Sequence, residues 1–473
     1  MIDALDITSE GSPSCEGGSI AHKDFYLFHT TDGPQLLIVN GSRLFKISDD
    51  FSRALTMASK PSQDTTHDLL KQHGLEIRRD LGDEPVTDPP VRALSLTVAG
   101  HCNLGCVYCY AEGGSFGGPS QQMPWETAEA SVRRLFAEVH PGERLNLAFL
   151  GGEPLSNRAV IRRATALAAR MGRERGVKVG FSITTNGTLL AAEDGEFFER
   201  YGFAVTVSLD GVGEINDRLR PTKGGRGSYH RVIANVRPLL ARQRRMQVSA
   251  RVTVTPANVD LRDTLDHFIK LGFHSVGFSP LLSAPTRRGE MQSPDLQVLL
   301  DNVIACGREF ERRIAAGESY PFANMMTALE EIHRGAHRPY PCGAGAGYFG
   351  VSASGGLFGC HRFVNDKARA MGHVSHGVDR ERQQRWLEER HVDRQEPCRS
   401  CWARYLCGGG CHYEVIHRGR PACDYIRGWL DYALGAYVRL SELRPELFSL
   451  NGMRRSATLS ADAARIRPPT EAN

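Results

Sequence analysis

The sequence lacks both a long uninterrupted hydrophobic run and a strong excess of one charge. No stretch approaches the roughly 18 apolar residues that a membrane-spanning helix needs. The 58 Lys and Arg residues nearly balance the 54 Asp and Glu residues, which leaves a net charge of +4 over 473 residues. A nucleic-acid-binding protein is expected to concentrate basic residues on one face. The composition therefore predicts a protein that binds neither membranes nor nucleic acid.

The N-terminal segment also lacks the apolar core of a secretory signal, so we expect a cytoplasmic protein. Cysteines in that compartment rarely form disulfides, yet the chain contains 12 of them. Three lie within residues 102–109 and seven lie within 342–423, whereas Cys15 and Cys306 stand alone. The clustering predicts metal binding or catalysis. The two isolated cysteines are interpreted as inert thiols.

The chain is too long for one ordinary core, and its pattern changes along its length. Between about 91 and 280, six short apolar strands alternate with helical stretches, which predicts a parallel sheet covered by helices. Six strands are too few for a closed eight-stranded barrel, so we predict an α/β fold with a partial (β/α)6 barrel. The predicted segments are a disordered leader (1–20), a small α+β module (21–88), the barrel (89–310), bridging helices and a cysteine-rich domain (311–430), and a terminal helix with a tail (431–473).

Cys102, Cys106 and Cys109 follow directly after the first predicted barrel strand. Three closely spaced thiolates can hold three irons of a [4Fe–4S] cube and leave the fourth iron open to a small molecule. A zinc site or a set of buried thiols is the alternative interpretation. The position of the cysteine triplet favours a functional site, because ligands of α/β barrels bind at the carboxyl ends of the parallel strands.

Further glycine-rich and polar segments end the next three strands. They are Gly151-Gly152-Glu153-Pro154, Thr184-Thr185-Asn186-Gly187-Thr188 and Ser208-Leu209-Asp210-Gly211. Each alone is also compatible with an ordinary turn, but all of them follow the cysteine triplet in order.

With these motifs, the chain resembles the radical S-adenosylmethionine (SAM) superfamily over roughly residues 91–310. The resemblance implies that SAM chelates the open iron and that its reductive cleavage yields methionine and a 5′-deoxyadenosyl radical, which abstracts a substrate hydrogen. It also implies that Glu153 and nearby backbone oxygens receive the SAM ammonium, and that Ser208 and Arg220 hold its carboxylate or ribose. Arg218 competes with Arg220, and the strand 249–253 is a weaker candidate for a ribose contact. The implied cofactor-binding residues are Tyr108, Gly151, Gly152, Glu153, Thr185, Asn186, Ser208, Asp210 and Arg220.

The seven C-terminal cysteines resemble the SPASM domain of radical SAM enzymes that modify peptides and proteins. The resemblance implies two auxiliary [4Fe–4S] clusters, three clusters in all. The nearer would take Cys342, Cys360 and Cys411, and the farther would take Cys398, Cys401, Cys407 and Cys423. The nearer cluster is then one ligand short, since some relatives carry a further cysteine where this chain has Tyr348. Either another residue fills the place or the iron is open to a substrate thiolate. A structural zinc is the alternative.

The N-terminal module resembles the winged-helix-type domains with which peptide maturases bind a leader peptide by strand addition. A purely structural cap is the other interpretation. The chain as a whole resembles the maturation proteins of quinohemoprotein amine dehydrogenases. That resemblance implies thioether cross-links from cysteine sulfur to Asp or Glu methylene carbons in the dehydrogenase small subunit. It also implies an electron donor such as flavodoxin or ferredoxin.

Several alternatives stay open at this point. Sactipeptide and ranthipeptide maturases and formylglycine-forming sulfatase maturases share the same motifs. A non-catalytic iron–sulfur carrier or peptide-binding protein is a different class. The sequence does not identify a general base, although Glu153 and Asp210 both lie near the predicted cofactor site.

Overall fold

A computed structural model describes residues 19–59, 65–75, 81 and 84–448 of the chain. Nearly all of the predicted leader, Cys15 and the tail beyond residue 448 lie outside these described residues. No helix within the described part of the chain has the length and apolar character needed to cross a membrane.

The predicted N-terminal module forms an antiparallel sheet of four strands followed by two helices. The strands are β1 (Ile20–Ala21), β2 (Phe25–Thr30), β3 (Gly33–Ile38) and β4 (Arg43–Lys46), and the helices are α1 (Asp49–Ala58) and α2 (Thr66–Gln72). A two-residue turn joins β2 to β3, because Thr30 pairs directly with Gly33. Gly33 has a φ of +102°, a value that glycine adopts without the penalty of a side chain.

Successive side chains of a strand point to opposite faces of the sheet. In this sheet both faces are buried, each by a different cluster. Phe25 and Leu27 of β2 pack with Leu55 of α1 and Leu70 of α2. Tyr26 and its neighbours on the other face pack against the C-terminal part of the chain. That second cluster contains Tyr26, Phe28, Leu37, Val39, Trp402, Leu406, Leu430 and Leu434.

Six parallel strands form the centre of the molecule in sequence order, so the predicted partial barrel is confirmed. They are β5 (Ala93–Ala99), β6 (Arg144–Gly151), β7 (Lys178–Thr185), β8 (Ala204–Ser208), β9 (Gln247–Val254) and β10 (Ser275–Pro280). The helices that follow them are α3 (Trp125–Leu135), α4 (Arg158–Arg175), α5 (Ala192–Tyr201), α6 (Glu214–Leu219), α7 (Tyr229–Leu240), α8 (Arg262–Leu271), α9 (Ser293–Ala315) and α10 (Ala323–His333).

The cysteine-rich region adds four strands to the same sheet and ends in a long helix. Its elements are β11 (Tyr348–Val351), β12 (Gly356–Phe358), β13 (Ala370–His373), β14 (Gly377–Val378), α11 (Arg380–Arg390), α12 (Arg404–Cys407), α13 (His412–Arg418) and α14 (Cys423–Leu443). Strand β11 pairs in parallel with β5, from Tyr348 opposite Ala93 to Val351 opposite Leu96. The edge of the barrel beside β5 is therefore covered by the C-terminal region.

Two of the predicted segment boundaries fall inside helices. Residue 310 lies within α9, and residue 430 lies within α14, which begins at Cys423. The terminal helix is therefore continuous with the cysteine-rich region and starts with one of its cysteines. The sequence predicts a start near residue 431, because the residues before it show little helical periodicity.

Tyr26 connects the N-terminal module to this last helix. Its ring stacks on Trp402 with the ring centroids 3.9 Å apart, and its hydroxyl donates to Asp431 Oδ1 at 2.7 Å. The contact joins the first sheet to two elements that lie about 400 residues later in the chain.

We predict that Tyr26→Ala lowers the free energy of unfolding by about 3–5 kcal/mol, as expected for truncating a buried aromatic side chain. Met57→Ala is the matched control, because Met57 is 62 % exposed and its truncation should change stability by less than about 0.5 kcal/mol. Urea unfolding followed by fluorescence measures both. Equal stabilities of the two variants would contradict the proposed role of Tyr26.

Candidate radical site and thiol groups

The loop after β5 brings the three cysteines of the triplet together. Cys102, Cys106 and Cys109 are all partly buried. The pKa of the Cys106 thiol is raised to about 12, chiefly by burial and in smaller part by the charges of Cys109 and Cys102, while Arg220 lowers it. The thiols therefore lie within electrostatic reach of one another. A metal bound here would have to displace protons from thiols that hold them firmly.

The glycine pair at the end of β6 packs directly on this loop. Gly152 N–H donates to the Ala99 carbonyl at 2.8 Å, and Glu153 N–H donates to the His101 carbonyl at 3.0 Å. A Cβ on Gly152 would lie 2.2 Å from the His101 oxygen and 2.7 Å from the Cys102 nitrogen. Only glycine allows this approach, so the Gly151-Gly152 segment fixes the backbone beside Cys102.

The Glu153 carboxylate lies in the interior and accepts three hydrogen bonds from the protein. The donors are Thr185 Oγ1 at 2.7 Å, Asn186 N at 2.8 Å and Leu155 N at 3.1 Å. Burial raises the pKa of Glu153, and these donors oppose the shift. Two of its three hydrogen bonds come from Thr185 and Asn186 at the end of β7. Its contact with the SAM ammonium stays a prediction, for which one lone pair of Oε2 remains.

Asn186 connects the segment after β7 to the cysteine loop. Its Nδ2 donates to Asn103 Oδ1 at 2.9 Å and lies 3.5 Å from Cys102 Sγ. Its Oδ1 accepts from the Thr188 backbone at 2.9 Å. The amide thus holds the loop from two sides. Asn103 was not singled out from the sequence, although its place next to Cys102 was the available signal.

Tyr108, Asp210 and Arg220 form a buried network between the cysteine loop and the end of β8. Arg220 Nη1 donates to the Tyr108 hydroxyl at 2.7 Å and lies 3.5 Å from Asp210 Oδ2. The Tyr108 hydroxyl donates to the same carboxylate, whose other oxygen accepts from Thr253 N at 2.8 Å. The charges of Arg220 and Asp210 therefore compensate each other, and the network buttresses the loop.

Arg220 rather than Arg218 is the arginine beside the triplet, since Arg218 is exposed whereas Arg220 lowers the pKa of Cys106 through its charge. Ser208, at the end of β8, is half-buried. The contacts of Arg220 and Ser208 with SAM stay predictions. Glu153 and Asp210 are 1 % and 0 % exposed, and no general base is identified.

The C-terminal thiols fall into two electrostatically coupled groups. In the first, Cys342 and Cys411 both act on Cys360, whose pKa burial raises to about 12. In the second, the pKa of Cys398 is raised to about 11, chiefly by burial and in smaller part by the charges of Cys407, Cys423 and Cys401. The assignment of these thiols to two cluster sites stays a prediction from the resemblance to the SPASM domain. The nearer group is Cys342, Cys360 and Cys411; the farther group is Cys398, Cys401, Cys407 and Cys423.

A cavity of about 70 Å³ is lined by all four thiols of the farther group together with Cys411. Among the described residues, no three Cys, His, Asp or Glu side chains converge on a single metal ion. A [4Fe–4S] cube does not require that convergence, because each of its thiolates binds a different iron. The thiol-only composition of the three groups fits iron–sulfur clusters held by Cys102, Cys106 and Cys109, by the nearer group and by the farther group.

Tyr348 occupies the position where a fourth cysteine of the nearer group would lie. Its hydroxyl is 2.8 Å from His361 Nδ1, and the charges of Cys360 and Cys342 raise its pKa beyond the effect of burial. Cys306 lies buried in the main core on α9. Its pKa is raised by burial to about 12, and the charges that act on it come from Arg262, Asp266 and Asp260.

We predict that Gly152→Ala prevents assembly of the first cluster, because the added methyl overlaps the backbone of His101 and Cys102. With the three four-iron sites that the resemblance implies, iron per chain after anaerobic reconstitution should fall by about one third. Gly224→Ala is the control, since a Cβ there meets nothing within 4 Å. Full iron loading of the Gly152 variant would contradict this account of the loop.

Comparison with known proteins agrees with this architecture. Residues 96–268 match the model of the Radical SAM superfamily. The chain is 26 % identical over 406 residues to the serine-type anaerobic sulfatase-maturating enzyme of Klebsiella aerogenes, covering 82 % of this chain and 95 % of that protein. It is 31 % identical over 159 residues to the cysteine-type enzyme of Clostridium novyi, covering 32 % and 41 %.

Two solved structures have a similar fold. Native anSMEcpe with bound AdoMet aligns with a TM-score of 0.63 at 20 % identity, covering 76 % of this chain and 100 % of that one. Streptococcus suis SuiB bound to the precursor peptide SuiA aligns with a TM-score of 0.50 at 14 % identity, covering 85 % and 98 %. The chain therefore has the radical SAM α/β fold, and the segment that matches the superfamily model includes the cysteine triplet.

Proposed function

We propose that this protein is a radical SAM enzyme that modifies a peptide or protein substrate, forming a thioether between a cysteine sulfur and an Asp or Glu methylene carbon. The observation that carries the proposal is the three-thiol nearer group, because the described residues place Tyr348 rather than a cysteine at the implied fourth position. The Tyr348 hydroxyl at the fourth position already has a partner in His361. This supports an iron open to a substrate thiolate, which a metal would deprotonate.

When bound, SAM and the three clusters supply two things. The first is a 5′-deoxyadenosyl radical, which takes a hydrogen atom from the substrate, and the second is an acceptor for the electron that is left behind. Each cross-link removes two hydrogens from the peptide, one as an atom from carbon and one as a proton from the thiol. The chain's own residues hold and shield this chemistry. Gly152 and Asn186 fix the cysteine loop, while the Tyr108–Asp210–Arg220 network closes its buried side.

Formylglycine formation is the second candidate. It is favoured by the similarity to the serine-type sulfatase-maturating enzyme, which extends over 82 % of this chain. Oxidation of a serine to formylglycine also removes two hydrogens, so peptide mass alone does not separate it from a thioether. Sactipeptide and ranthipeptide maturation differ from the first candidate only in the carbon that is joined to sulfur.

The peptide substrate is proposed to be the small subunit of an amine dehydrogenase with a leader segment, and the electron donor to be a flavodoxin or ferredoxin. The N-terminal module is proposed to bind the leader. In support, β4 forms one edge of its four-stranded sheet, and an edge strand offers unpaired backbone groups for strand addition.

The radical chemistry is tested by replacing Cys102, Cys106 and Cys109 with Ala. We expect this variant to form no 5′-deoxyadenosine from SAM under dithionite, because the iron that binds SAM is lost. Chromatography of the nucleoside products measures it, with Cys306→Ala as a control that should retain wild-type turnover. Continued 5′-deoxyadenosine production by the triple variant would refute the proposed site, and no SAM cleavage by the wild type would favour an electron carrier.

The bond formed is tested by alkylation of the product peptide. A thioether lowers the peptide mass by two hydrogens and makes one cysteine per cross-link unreactive to iodoacetamide after reduction. Formylglycine from serine gives the same mass change but leaves every cysteine reactive and adds an aldehyde that reacts with hydrazides. Tandem mass spectrometry of both derivatised samples distinguishes the two. An aldehyde with all cysteines alkylated would overturn thioether formation.

A further inference from the structure

Arg362 lies between the cysteine loop and the nearer thiol group. It follows Cys360 by two residues, and its side chain is 15 % exposed. Nη1 donates to Glu414 Oε1 at 2.9 Å and lies 3.9 Å from Cys411 Sγ. Nη2 donates to the Ser283 carbonyl at 3.1 Å, at the end of the barrel. The guanidinium is therefore held from three directions, with one nitrogen directed at a proposed cluster ligand.

Two aromatic rings complete its surroundings. The guanidinium carbon lies 4.1 Å from the Tyr413 ring centroid and 5.4 Å from the Tyr110 ring centroid. Tyr110 directly follows Cys109 of the triplet, and its charge interactions include both Cys109 and Cys360. The Arg362 side chain thus contacts both Tyr110, which lies next to the first cluster site, and the Cys411 sulfur of the nearer group.

A fixed cation beside a thiolate ligand has a definite electrostatic effect. It stabilises the more negative, reduced state of a cluster, so it raises the reduction potential. Glu414 carries the opposite charge and reduces this effect. The aromatic faces and the carbonyl of Ser283 hold Arg362 in place without neutralising it, because cation–π contacts attract the charge but do not remove it.

The other thiol groups have arginines in different settings. Arg220, beside Cys106, is paired with Asp210, which is fully buried. Arg427 interacts with Cys401 and is paired with Asp424, whose side chain is 92 % exposed. Of these three, Arg362 contacts Tyr110, which directly follows the triplet, whereas Arg220 contacts Tyr108 within it.

We infer that Arg362 is a positioning residue that raises the reduction potential of the cluster held by Cys342, Cys360 and Cys411. This makes that cluster the acceptor for the single electron released when the substrate carbon radical bonds to sulfur. The inference rests on the proposed function, since it takes the nearer group as a cluster site. For each cross-link, one hydrogen atom goes to the nucleoside radical, one proton is released and one electron goes to the cluster.

The test is a redox titration of the reconstituted full-length protein, followed by electron paramagnetic resonance. The signal of the nearer cluster is assigned by its loss in Cys360→Ala. Arg362→Met removes the cation and should move the midpoint of that signal to a more negative potential. Glu414→Gln removes the opposing anion and should move it to a more positive potential. Arg362→Lys keeps the charge and should give a midpoint between those of Arg362→Met and the wild type.

Arg439→Gln is the matched control. Arg439 is also an ion-paired arginine, bonded to Glu311 at 2.8 Å and 37 % exposed, but it lies on α14 away from the thiol groups. It should leave all midpoints unchanged. Iron and sulfide analysis accompanies every variant, so that loss of a cluster is not read as a shift.

Opposite shifts in Arg362→Met and Glu414→Gln support the inference, because a purely structural role would not reverse sign with the charge removed. Unchanged midpoints, or shifts in the same direction, would overturn it. If Arg362→Met fails to bind the nearer cluster, the Lys and Gln variants decide the question on the same criterion. Iron sufficient for only one cluster in the wild type would instead refute the three-cluster proposal on which the inference rests.

Discussion

The parallel pairing of β5 with β11 is the constraint on which the geometry of the site depends. Strand β5 leads directly into the cysteine loop, and β11 lies between Cys342 and Cys360 in the chain. Their backbone hydrogen bonds therefore fix the nearer thiol group relative to the triplet. Tyr110 and Arg362 occupy the space between the two, and neither contact would exist if the C-terminal region were joined to the barrel by a flexible linker alone.

This arrangement separates two tasks within one continuous sheet. The loop after β5 is built for precise ligand placement, with a glycine backbone against it on one side and a buried charge pair on the other. In the C-terminal region several cysteines lie at the ends of helices: Cys407 ends α12, Cys411 directly precedes α13 and Cys423 begins α14. Differences in reaction among enzymes of this architecture would then arise mainly where the two regions meet.

The sequence predicted the six barrel strands because each is a short, nearly continuous apolar run, and it predicted a small α+β module before them. The division of the C-terminal cysteines into two cluster sites was implied by the resemblance to the SPASM domain and stays a prediction. The pairing of β5 with β11 could not be predicted, because it joins segments about 250 residues apart that carry no complementary local signal. The same holds for the Tyr108–Asp210–Arg220 network, which forms only after three loops have come together. The start of helix α14 was predicted eight residues late, because its first turns are defined by packing and by Cys423 rather than by amphipathic periodicity.

The stacking of Tyr26 on Trp402 has a consequence for biosynthesis. The apolar face that carries Tyr26 leaves the ribosome early, whereas its partner Asp431 is synthesised 405 residues later. At the usual elongation rates of about 5–20 residues per second, that interval lasts roughly 20–80 s. During this time the first sheet has one face covered by its own helices and the other exposed to solvent. Completion of the last helix therefore covers this face only late in synthesis, and the nascent chain has to be kept from aggregating until then.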